Sequence, residues 1–500
     1  MARRNSDLHR YEEIMQSILD RIHSGRLRVG DKLPSVRLYA QEQGVSTATI
    51  LQAYYGLAEQ DIIEARPQSG YYVLPTSHAL RNLPPEPAMK QFQPRPADVN
   101  VIDLVEDLLN ASQFQSFAPL GAALPSPDLF PLEKIAKAVA GAARATQHLA
   151  GNHEQALGNY NLRRLIALHS REWSNSEWAR KHGITHRQDH CFSADECIIT
   201  HGATEAIHVC LRAIAKPGDT IAVESPCYFG ILRIIEGLGM KSLEVPTDPR
   251  TGIALDVLES LMKKKRLRAV IVTPNFSNPL GSLMPDEAKY RLAQLASEYA
   301  VPVIEDDVYG DLHFGLHRPC TVQSFDMAGL VMLCSSFSKS LTPSLRVGFV
   351  CAGKFHAKVL QQKIATSLST ALVPQVAVAD IIQSGGYTAH LRRMRQALAR
   401  QISAMQSAIS TYFPDGTKVT RPEGGFVMWV ELPAINGRFP SAVKLHKVAL
   451  EHKISIAPGP IFSHNPEYRH HFRVNCGYPW SPAIEAAVEL LGQELVQQSV

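Results

Sequence analysis

Several features are missing from this sequence, and each absence excludes a class of protein. No apolar run approaches the roughly 18–20 residues that a membrane-spanning helix needs. The first ten residues are charged and contain no apolar stretch, so we expect no secretory signal. The eight cysteines are scattered without a Cys-x-x-Cys pair, which predicts reduced thiols in a cytoplasmic protein and no metal site.

Excess charge is missing as well. The 51 Lys and Arg residues nearly balance the 47 Asp and Glu residues, and the net charge of +4 does not by itself indicate a nucleic-acid partner. A hydrophobic content of 45% is that of an ordinary globular protein. Because 500 residues are too many to pack around a single hydrophobic core, we expect two or three domains.

A proline-rich segment divides the chain. Its prolines are Pro75, Pro84, Pro85, Pro87, Pro94 and Pro96. Because little periodic apolar pattern lies between them, the segment is predicted to be a semi-rigid extended linker that buries little surface. The predicted organisation is therefore a small domain over residues 1–74, a linker over 75–100 and a large domain over 101–500.

The small domain has the pattern of a winged helix-turn-helix. Apolar residues recur at helical spacing from Tyr11 to Ile22, and Ser35 and Ser46 can each cap a further helix. Two short β-rich runs, 62–65 and 71–74, follow with a turn between them. Three helices and a hairpin in this order predict a DNA-binding module.

The motifs of this domain resemble the GntR family of regulators. The matching segments are Gly30–Arg37, Gly44–Ser46 and Arg66–Val73. The resemblance implies double-stranded DNA as partner, with the third helix in the major groove and the wing in the minor groove. The DNA-contacting residues expected from it are Arg37, Ser46, Thr47, Thr49, Arg66 and Gln68.

Charge in the small domain gives this interpretation little support. Residues 1–76 contain nine Lys and Arg residues and nine Asp and Glu residues, and the third helix, from Ser46 to Leu57, has no basic residue. One copy should therefore bind DNA modestly, and a dimer would have to compensate. The alternative is a three-helix module for protein contacts.

The large domain alternates β-rich runs with helical patterns. The runs are 197–200, 220–223, 269–273, 301–305, 331–334 and 347–351. This alternation predicts an α/β fold with a doubly wound, mostly parallel sheet. Ligands of such sheets bind beyond the carboxyl ends of the strands.

Polar clusters fall at those predicted strand ends. They are His201–Glu205, Glu224–Tyr228, Asn275–Gly281, Glu305–Tyr309 and Ser335–Lys339, the last followed by Arg346. Each alone is compatible with an ordinary turn or a packed side chain. A lysine preceded by hydroxyls and followed by an arginine suits an aldehyde that carries a phosphate.

Together the clusters resemble fold-type I proteins that bind pyridoxal 5′-phosphate (PLP), the class I and II aminotransferases, over roughly residues 115–495. The resemblance implies that Lys339 forms the Schiff base and that Asp306 faces the pyridine nitrogen. It assigns Tyr228 to the ring face, Asn278 and Tyr309 to the ring hydroxyl, and Arg473 to a carboxylate of the substrate or effector. The residues expected at the phosphate are Gly202, Ala203, Thr204, Ser336, Ser338 and Arg346.

One position departs from that family. His153 stands where the family usually has a tyrosine that reaches the phosphate of the partner subunit, and Tyr160 lies nearby out of register.

The order of the domains resembles the MocR subfamily of GntR regulators. This resemblance implies a cytoplasmic homodimer that regulates transcription in response to PLP or an amino compound. The alternative is a PLP-dependent aminotransferase whose DNA-binding module is secondary, because all residues needed for transamination are present.

Overall fold

The computed structural model describes residues 3–23, 27, 31–59, 62–66, 69–73, 83–97, 105–106, 108, 110, 117–147, 156–184, 186 and 192–497. Within these ranges, no helix has the length and apolar character needed to cross a membrane. The seven cysteines in these ranges are buried and form no disulfide, and Cys191 lies outside them.

The N-terminal module is a winged helix-turn-helix, as the sequence predicts. Its elements are α1 (Arg3–His23), α2 (Val36–Gln43), α3 (Thr47–Glu59), β1 (Ile63–Arg66) and β2 (Gly70–Val73). The two strands pair antiparallel and form the wing. The apolar face of α3, led by Ile50, Tyr54 and Leu57, packs with Ile18 and Leu33 in a core of its own.

Local chemistry sets the helix ends of this module. The Ser35 side chain accepts a hydrogen bond from the N–H of Leu38 at 3.3 Å and caps α2. Gly44 ends that helix in the left-handed conformation, with φ of 64°. The Ser46 hydroxyl accepts from the N–H of Thr49 at 3.1 Å, which confirms the predicted cap of α3.

Fifteen further strands follow the N-terminal module among the described residues. They are β3 (Pro96–Ala97), β4 (Ala118–Pro119), β5 (Cys197–Thr200), β6 (Thr220–Ser225), β7 (Lys241–Asp248), β8 (Gly252–Ile253), β9 (Ala269–Val272), β10 (Val303–Asp306), β11 (Val331–Ser336), β12 (Gly348–Cys351), β13 (Lys418–Val419), β14 (Val427–Glu431), β15 (Ile454–Ser455), β16 (Ala457–Pro458) and β17 (His471–Asn475).

The helices of this domain cover the sheets. They are α4 (Leu132–Ala145), α5 (Tyr160–His169), α6 (Glu177–Lys181), α7 (Ala203–Ile214), α8 (Phe229–Gly237), α9 (Leu255–Lys263), α10 (Asp286–Tyr299), α11 (His356–Ser367), α12 (Leu372–Gln383), α13 (Gly386–Tyr412), α14 (Ala442–Glu451) and α15 (Pro482–Gln497).

The main sheet has the order β3-β7-β6-β9-β10-β11-β12-β5, with β8 paired to β7. Strands β7, β6, β9, β10 and β11 run parallel, and β12 is antiparallel to both of its neighbours. The mostly parallel sheet is therefore confirmed. Strand β7 was not predicted, because its residues 241–248 include Pro246 and two acidic side chains that break the apolar pattern.

A smaller C-terminal subdomain follows α13. Its antiparallel sheet has the order β13-β14-β17-β16 and packs with α14 and α15 around Val430, Leu445 and Phe472. The short strand β15 pairs with β4, so the segment near residue 118 is joined to this subdomain.

Residues 83–97 of the predicted linker lie against the large domain. The strand β3 pairs with β7, and Pro84 and Pro87 are buried. Lys90 Nζ lies 2.9 Å from Glu431 Oε1. These contacts correct the expectation that the segment buries little surface. Residues 75–82 lie outside the described ranges, and the domain boundaries at 74 and 100 stay predictions.

Candidate functional site

One cavity lies at the carboxyl ends of the central strands, where the sequence predicts a ligand. Ten of the predicted cofactor residues line it: Ala203, Thr204, Tyr228, Asn278, Asp306, Tyr309, Ser336, Ser338, Lys339 and Arg346. Gly202 lies directly behind this lining, and its ideal Cβ position is 2.8 Å from Arg346 Nη2. The residues come from strands and turns that are far apart in sequence, and the parallel sheet brings them together.

Lys339 follows β11 and carries the amine of the site. Its Nζ donates a hydrogen bond to the carbonyl oxygen of Ala123 at 2.7 Å. Burial, together with the nearby cations Arg473 and Arg346, lowers the pKa of Lys339 to about 8. Asp306 acts in the opposite direction. A large neutral fraction near pH 8 leaves the amine nucleophilic.

Three consecutive carboxylates end β10, and the structure distinguishes them. Glu305 accepts the N–H groups of Val322 and Gln323 at 2.8 and 2.9 Å. Asp307 forms a buried ion pair with Arg318 and accepts the Asn275 amide at 2.8 Å.

Asp306 is the carboxylate of this group that faces the cavity. Its Oδ1 is buried without a hydrogen-bond partner among the described residues. Burial and, to a smaller extent, the neighbouring Asp307 raise the pKa of Asp306 to about 7, although Lys339 acts in the opposite direction. A pyridinium N–H in the cavity would satisfy this oxygen and keep the carboxylate ionised.

The phosphate end of the cavity is held by Arg346 and the turn before α7. Arg346 Nη1 donates to Ser338 Oγ at 3.3 Å, and Nη2 donates to the His201 carbonyl at 3.1 Å. Gly202 has φ of +79°, which favours glycine, and it leaves the N–H groups at the start of α7 open to an anion. Hydroxyls, a guanidinium and a helix start together fit a phosphate monoester.

Asn278, Tyr309 and Arg473 form a connected group at the opposite end. The Asn278 amide donates to the Tyr309 hydroxyl at 3.4 Å, and Arg473 Nη1 donates to Asn278 Oδ1 at 2.9 Å. Arg473 Nη2 donates to the Gly121 carbonyl, and the guanidinium lies 5.1 Å from the ring centre of Phe462. The residues present therefore fit PLP along its whole length, with a fully buried arginine beside it.

The residues predicted to contact DNA occupy different environments. Arg37, Ser46 and Thr47 are exposed near the starts of α2 and α3. Thr49 is only 8% exposed, and its hydroxyl lies 2.8 Å from that of Ser46. Thr49 is thus part of the cap of α3, and its contact with DNA stays a prediction. Arg66 ends β1, and Gln68 lies outside the described residues.

One group outside the cavity combines potential metal ligands. Ligand atoms of Glu431, His470 and His471 lie within 4.8 Å of one another. Two ammonium groups, those of Lys90 and Lys418, already lie 2.9 and 3.3 Å from Glu431 Oε1. The ion pairs explain this group without a metal.

Comparisons with known proteins agree with both domains. The family described as aminotransferase class I and II matches residues 136–489, and the gntR family of bacterial regulatory proteins matches residues 10–73. An uncharacterized HTH-type transcriptional regulator of Escherichia coli, YjiR, is 37% identical over 97% of this chain and 98% of its own length. The probable rhizopine catabolism regulatory protein MocR of Rhizobium meliloti is 25% identical over 84% of this chain and 81% of its own. The chain belongs to the MocR-type GntR regulators.

A solved structure supports the large domain of this MocR-type regulator. LysN, the α-aminoadipate aminotransferase of Thermus thermophilus, is 29% identical, covers 79% of this chain and 95% of its own, and superposes with a TM-score of 0.68. The protein is therefore a DNA-binding GntR-type regulator fused to an aminotransferase-like domain, and PLP is its cofactor.

Two elements of the MocR-type site were missed in the sequence. Lys363, on α11, is fully buried, and its Nζ lies 2.9 Å from Glu205 Oε2 and 2.9 Å from the Thr370 hydroxyl. Glu205 Oε2 in turn accepts the N–H of His201 at 2.7 Å. This ion pair fixes the turn that carries the phosphate-binding groups. No motif contains Lys363, because α11 is distant in sequence from α7.

The segment Gly121–Leu124 is the second such element. The carbonyls of Gly121 and Ala123 accept hydrogen bonds from Arg473 and Lys339, and Leu124 lines the cavity. Backbone carbonyls have no sequence signature, so this contact could be found only in the folded chain.

Proposed function

We propose that this regulator senses PLP, or an amino compound that also carries a carboxylate, and that the occupant of the cavity changes its affinity for DNA. The single observation that carries the proposal is the segment Gly121–Leu124, which contacts both Lys339 and Arg473. This segment lies in the chain between the docked linker and α4. It therefore provides a physical connection between the ligand-binding groups and the N-terminal part of the chain.

The proposed roles of the lining residues follow their positions. Gly202, Ala203, Thr204, Ser336, Ser338 and Arg346 would bind the phosphate, Tyr228 would pack on the ring, and Asn278 and Tyr309 would bind the ring hydroxyl. Asp306 would hold a proton at the ring nitrogen, because its free oxygen needs a donor. When bound, PLP supplies an aldehyde that reacts reversibly with primary amines.

Arg473 is proposed to select effectors with a carboxylate. Its planar guanidinium can bind a carboxylate through two parallel hydrogen bonds. In the structure this group already holds the Gly121 carbonyl and Asn278 Oδ1. A carboxylate at Arg473 and an amine that engages the cofactor would compete with both contacts of the Gly121–Leu124 segment. An effector shifts DNA affinity only if it binds two such arrangements unequally.

We also propose a homodimer that acts in the cytoplasm, where its DNA partner is found. The neutral N-terminal module supports a dimer, because one copy neutralises few phosphates and two linked copies bind more tightly. The predicted contact of position 153 with a partner subunit concerns a residue outside the described ranges, so it stays a prediction.

The test is a mobility-shift titration on the DNA upstream of this protein's own gene, at two salt concentrations. Cofactor-free protein, PLP-loaded protein and Lys339→Ala are compared, with Lys358→Ala, an exposed lysine on α11, as the matched control. We expect specific binding that changes on PLP loading in wild type and Lys358→Ala but not in Lys339→Ala. Equal affinity with and without PLP and with a panel of α-amino acids would contradict sensing.

A second candidate, transamination, is favoured by one specific arrangement. The amine of Lys339 and the carboxylate of Asp306 line the same cavity, and Arg473 lies beside it. A 2-aminoadipate transaminase of Thermus thermophilus is 30% identical over 78% of this chain. Steady-state turnover with common amino donors and keto acids separates the candidates, since a sensor completes few or no cycles.

A further inference from the structure

Two helices of the large domain carry a surface of uncompensated positive charge. Helix α13 has four arginines and no aspartate or glutamate, and Arg392, Arg393 and Arg400 are exposed. Arg393 and Arg400 lie on one face two turns apart, and Arg392 lies about a quarter turn around the helix from them. Helix α4 has the exposed cations Lys134, Lys137 and Arg144, with Glu133 as its one acidic residue. These six residues, Lys134, Lys137, Arg144, Arg392, Arg393 and Arg400, are called the basic surface below.

The charges of the two helices meet at His390. This histidine is 2% exposed, and its Nε2 lies 2.8 Å from the Ser340 carbonyl. Burial lowers the pKa of His390, and Arg393 and Lys134 both lower it further, so both cations lie within electrostatic reach of the same ring. One cation of each helix therefore lies near this buried histidine.

The six side chains of this surface are unpaired in the described part of the chain. None of its six side chains has an ion-pair or hydrogen-bond partner there. Some exposed cations of the same domain are paired, as Lys263 is with Glu259 at 2.8 Å and Lys181 is with Glu177 at 2.8 Å. An unpaired cluster of like charges repels itself, and an anionic partner would remove that repulsion.

The winged helix lacks the charge that this surface has. Residues 1–76 are neutral overall, and α3 contains no lysine or arginine. Phosphate neutralisation supplies a large share of the affinity of most DNA-binding proteins. A regulator with a neutral DNA-binding module therefore needs basic groups from another part of the molecule.

We propose that the basic surface is a second DNA-binding face of this regulator, which contacts phosphates that flank the sequence bound by the winged helix. The proposal rests on DNA binding by the N-terminal module and adds a contact from the aminotransferase-like domain. Arginine guanidinium groups suit phosphate, because their planar fork donates two hydrogen bonds to its oxygens. A second copy of the chain is a poor occupant, since a twofold contact would set like charges against each other.

The test compares a triple variant, Arg392→Gln, Arg393→Gln and Arg400→Gln, with wild type in the full-length, PLP-loaded protein. The probes are a long fragment from upstream of its own gene and the same fragment trimmed to the winged-helix footprint. We expect the triple variant to bind the long fragment more weakly. The slope of log K against log [salt] should be shallower by roughly 2–3, because each lost phosphate contact removes about 0.9 from it. Binding to the trimmed fragment should be unchanged.

Two further variants distinguish a local contact from a general charge effect. Lys264→Gln, Lys265→Gln and Arg266→Gln remove the same charge from an exposed stretch between α9 and β9, and they should leave the salt dependence as in wild type. Arg392→Lys, Arg393→Lys and Arg400→Lys keep the charge and should retain most of the slope.

Several results would overturn the proposal. The first is an equal loss of DNA affinity in the two triple variants with Gln, and the second is an unchanged salt dependence in the α13 variant. The third is a change in the oligomeric state of the α13 variant by sedimentation, which would mean that this surface contacts another chain. Absence of DNA binding by wild type on either fragment would overturn the proposed function itself, so the two failures can be told apart.

Discussion

Lys363 Nζ lies 2.9 Å from Glu205 Oε2, and this ion pair joins α11 to the first turn of α7. Glu205 also accepts the N–H of His201, whose carbonyl accepts from Arg346. Burial raises the pKa of Glu205, but hydrogen bonds from Ser367, the His201 N–H and Lys363 lower it to about 2. The carboxylate is thus ionised and holds the phosphate-binding turn in one geometry.

Lys363→Met should therefore weaken PLP binding without unfolding the domain. Truncating one partner of a buried charged pair leaves Glu205 uncompensated, and we expect roughly a 10–100-fold loss of affinity. The measurement is the absorbance change of cofactor-free protein on titration with PLP, together with a thermal melt. Lys363→Arg should recover part of the affinity, and Lys358→Met on the same helix should have no effect. Wild-type affinity in Lys363→Met would mean that the turn needs no support from α11.

Gly202→Ala should also lower PLP affinity, for a steric reason. A Cβ at this position would approach Arg346 Nη2 at 2.8 Å, and the backbone φ of +79° disfavours any side chain. Arg346 would have to leave both Ser338 and the His201 carbonyl. The matched control is Gly183→Ala, where φ is +64° and no atom lies within 4 Å of the added carbon. Equal PLP affinities for the two variants would show that Arg346 is free to adjust.

Asp306 should make binding of the cofactor ring depend on pH. Its pKa of about 7 lies above the usual 3.8, so the folded state keeps a proton that the unfolded chain releases. Its contribution to stability is therefore full below about pH 4 and falls as pH rises toward 7. A pyridinium N–H would bind the ionised carboxylate of Asp306 and offset this loss of stability. Binding of the cofactor ring should therefore strengthen as pH rises.

Pyridoxamine 5′-phosphate is the probe for this effect, because it has the ring and phosphate but no aldehyde for Lys339. We expect its affinity to rise about tenfold from pH 6 to pH 8, since most of Asp306 is protonated at the lower pH. Calorimetric titration at three pH values gives the dependence. Asp306→Asn should bind more weakly with little pH dependence. A wild-type affinity that is flat over this range would indicate that another group holds the ring nitrogen.

Arg473→Gln should separate effectors by their carboxylate. In PLP-loaded protein, α-amino acids should lose roughly 10–100-fold in affinity, as expected for a charged hydrogen-bonded pair, while the amines made from them by decarboxylation should be unaffected. Absorbance titrations with each pair of compounds give both constants. Because Arg473 also holds Asn278 at 2.9 Å, PLP affinity is measured in parallel. A similar loss for both compounds of a pair would point to a role in packing.

Much of this protein could be predicted from its sequence. The apolar period of α1 and α3, the caps at Ser35 and Ser46 and the alternating strands are local patterns, and the structure has them within a few residues. The site motifs were found for the same reason, because each lies at the end of a recognisable strand. Ser46 and Thr49 suit both a helix cap and an exposed first turn, and only the structure showed that their hydroxyls pair with each other.

The sequence by itself determined the order of the domains, the class of each fold and ten of the residues that line the cavity, because hydrophobic period and turn chemistry act over a few neighbouring residues. The tertiary structure showed what holds each of the three adjacent carboxylates, and only it revealed that Lys363 supports the phosphate-binding turn. It alone showed the contact from Lys339 to Ala123, 216 residues away, and from Arg473 to Gly121, 352 residues away. Contacts between such distant residues depend on how whole elements pack, and no local pattern in the chain specifies them.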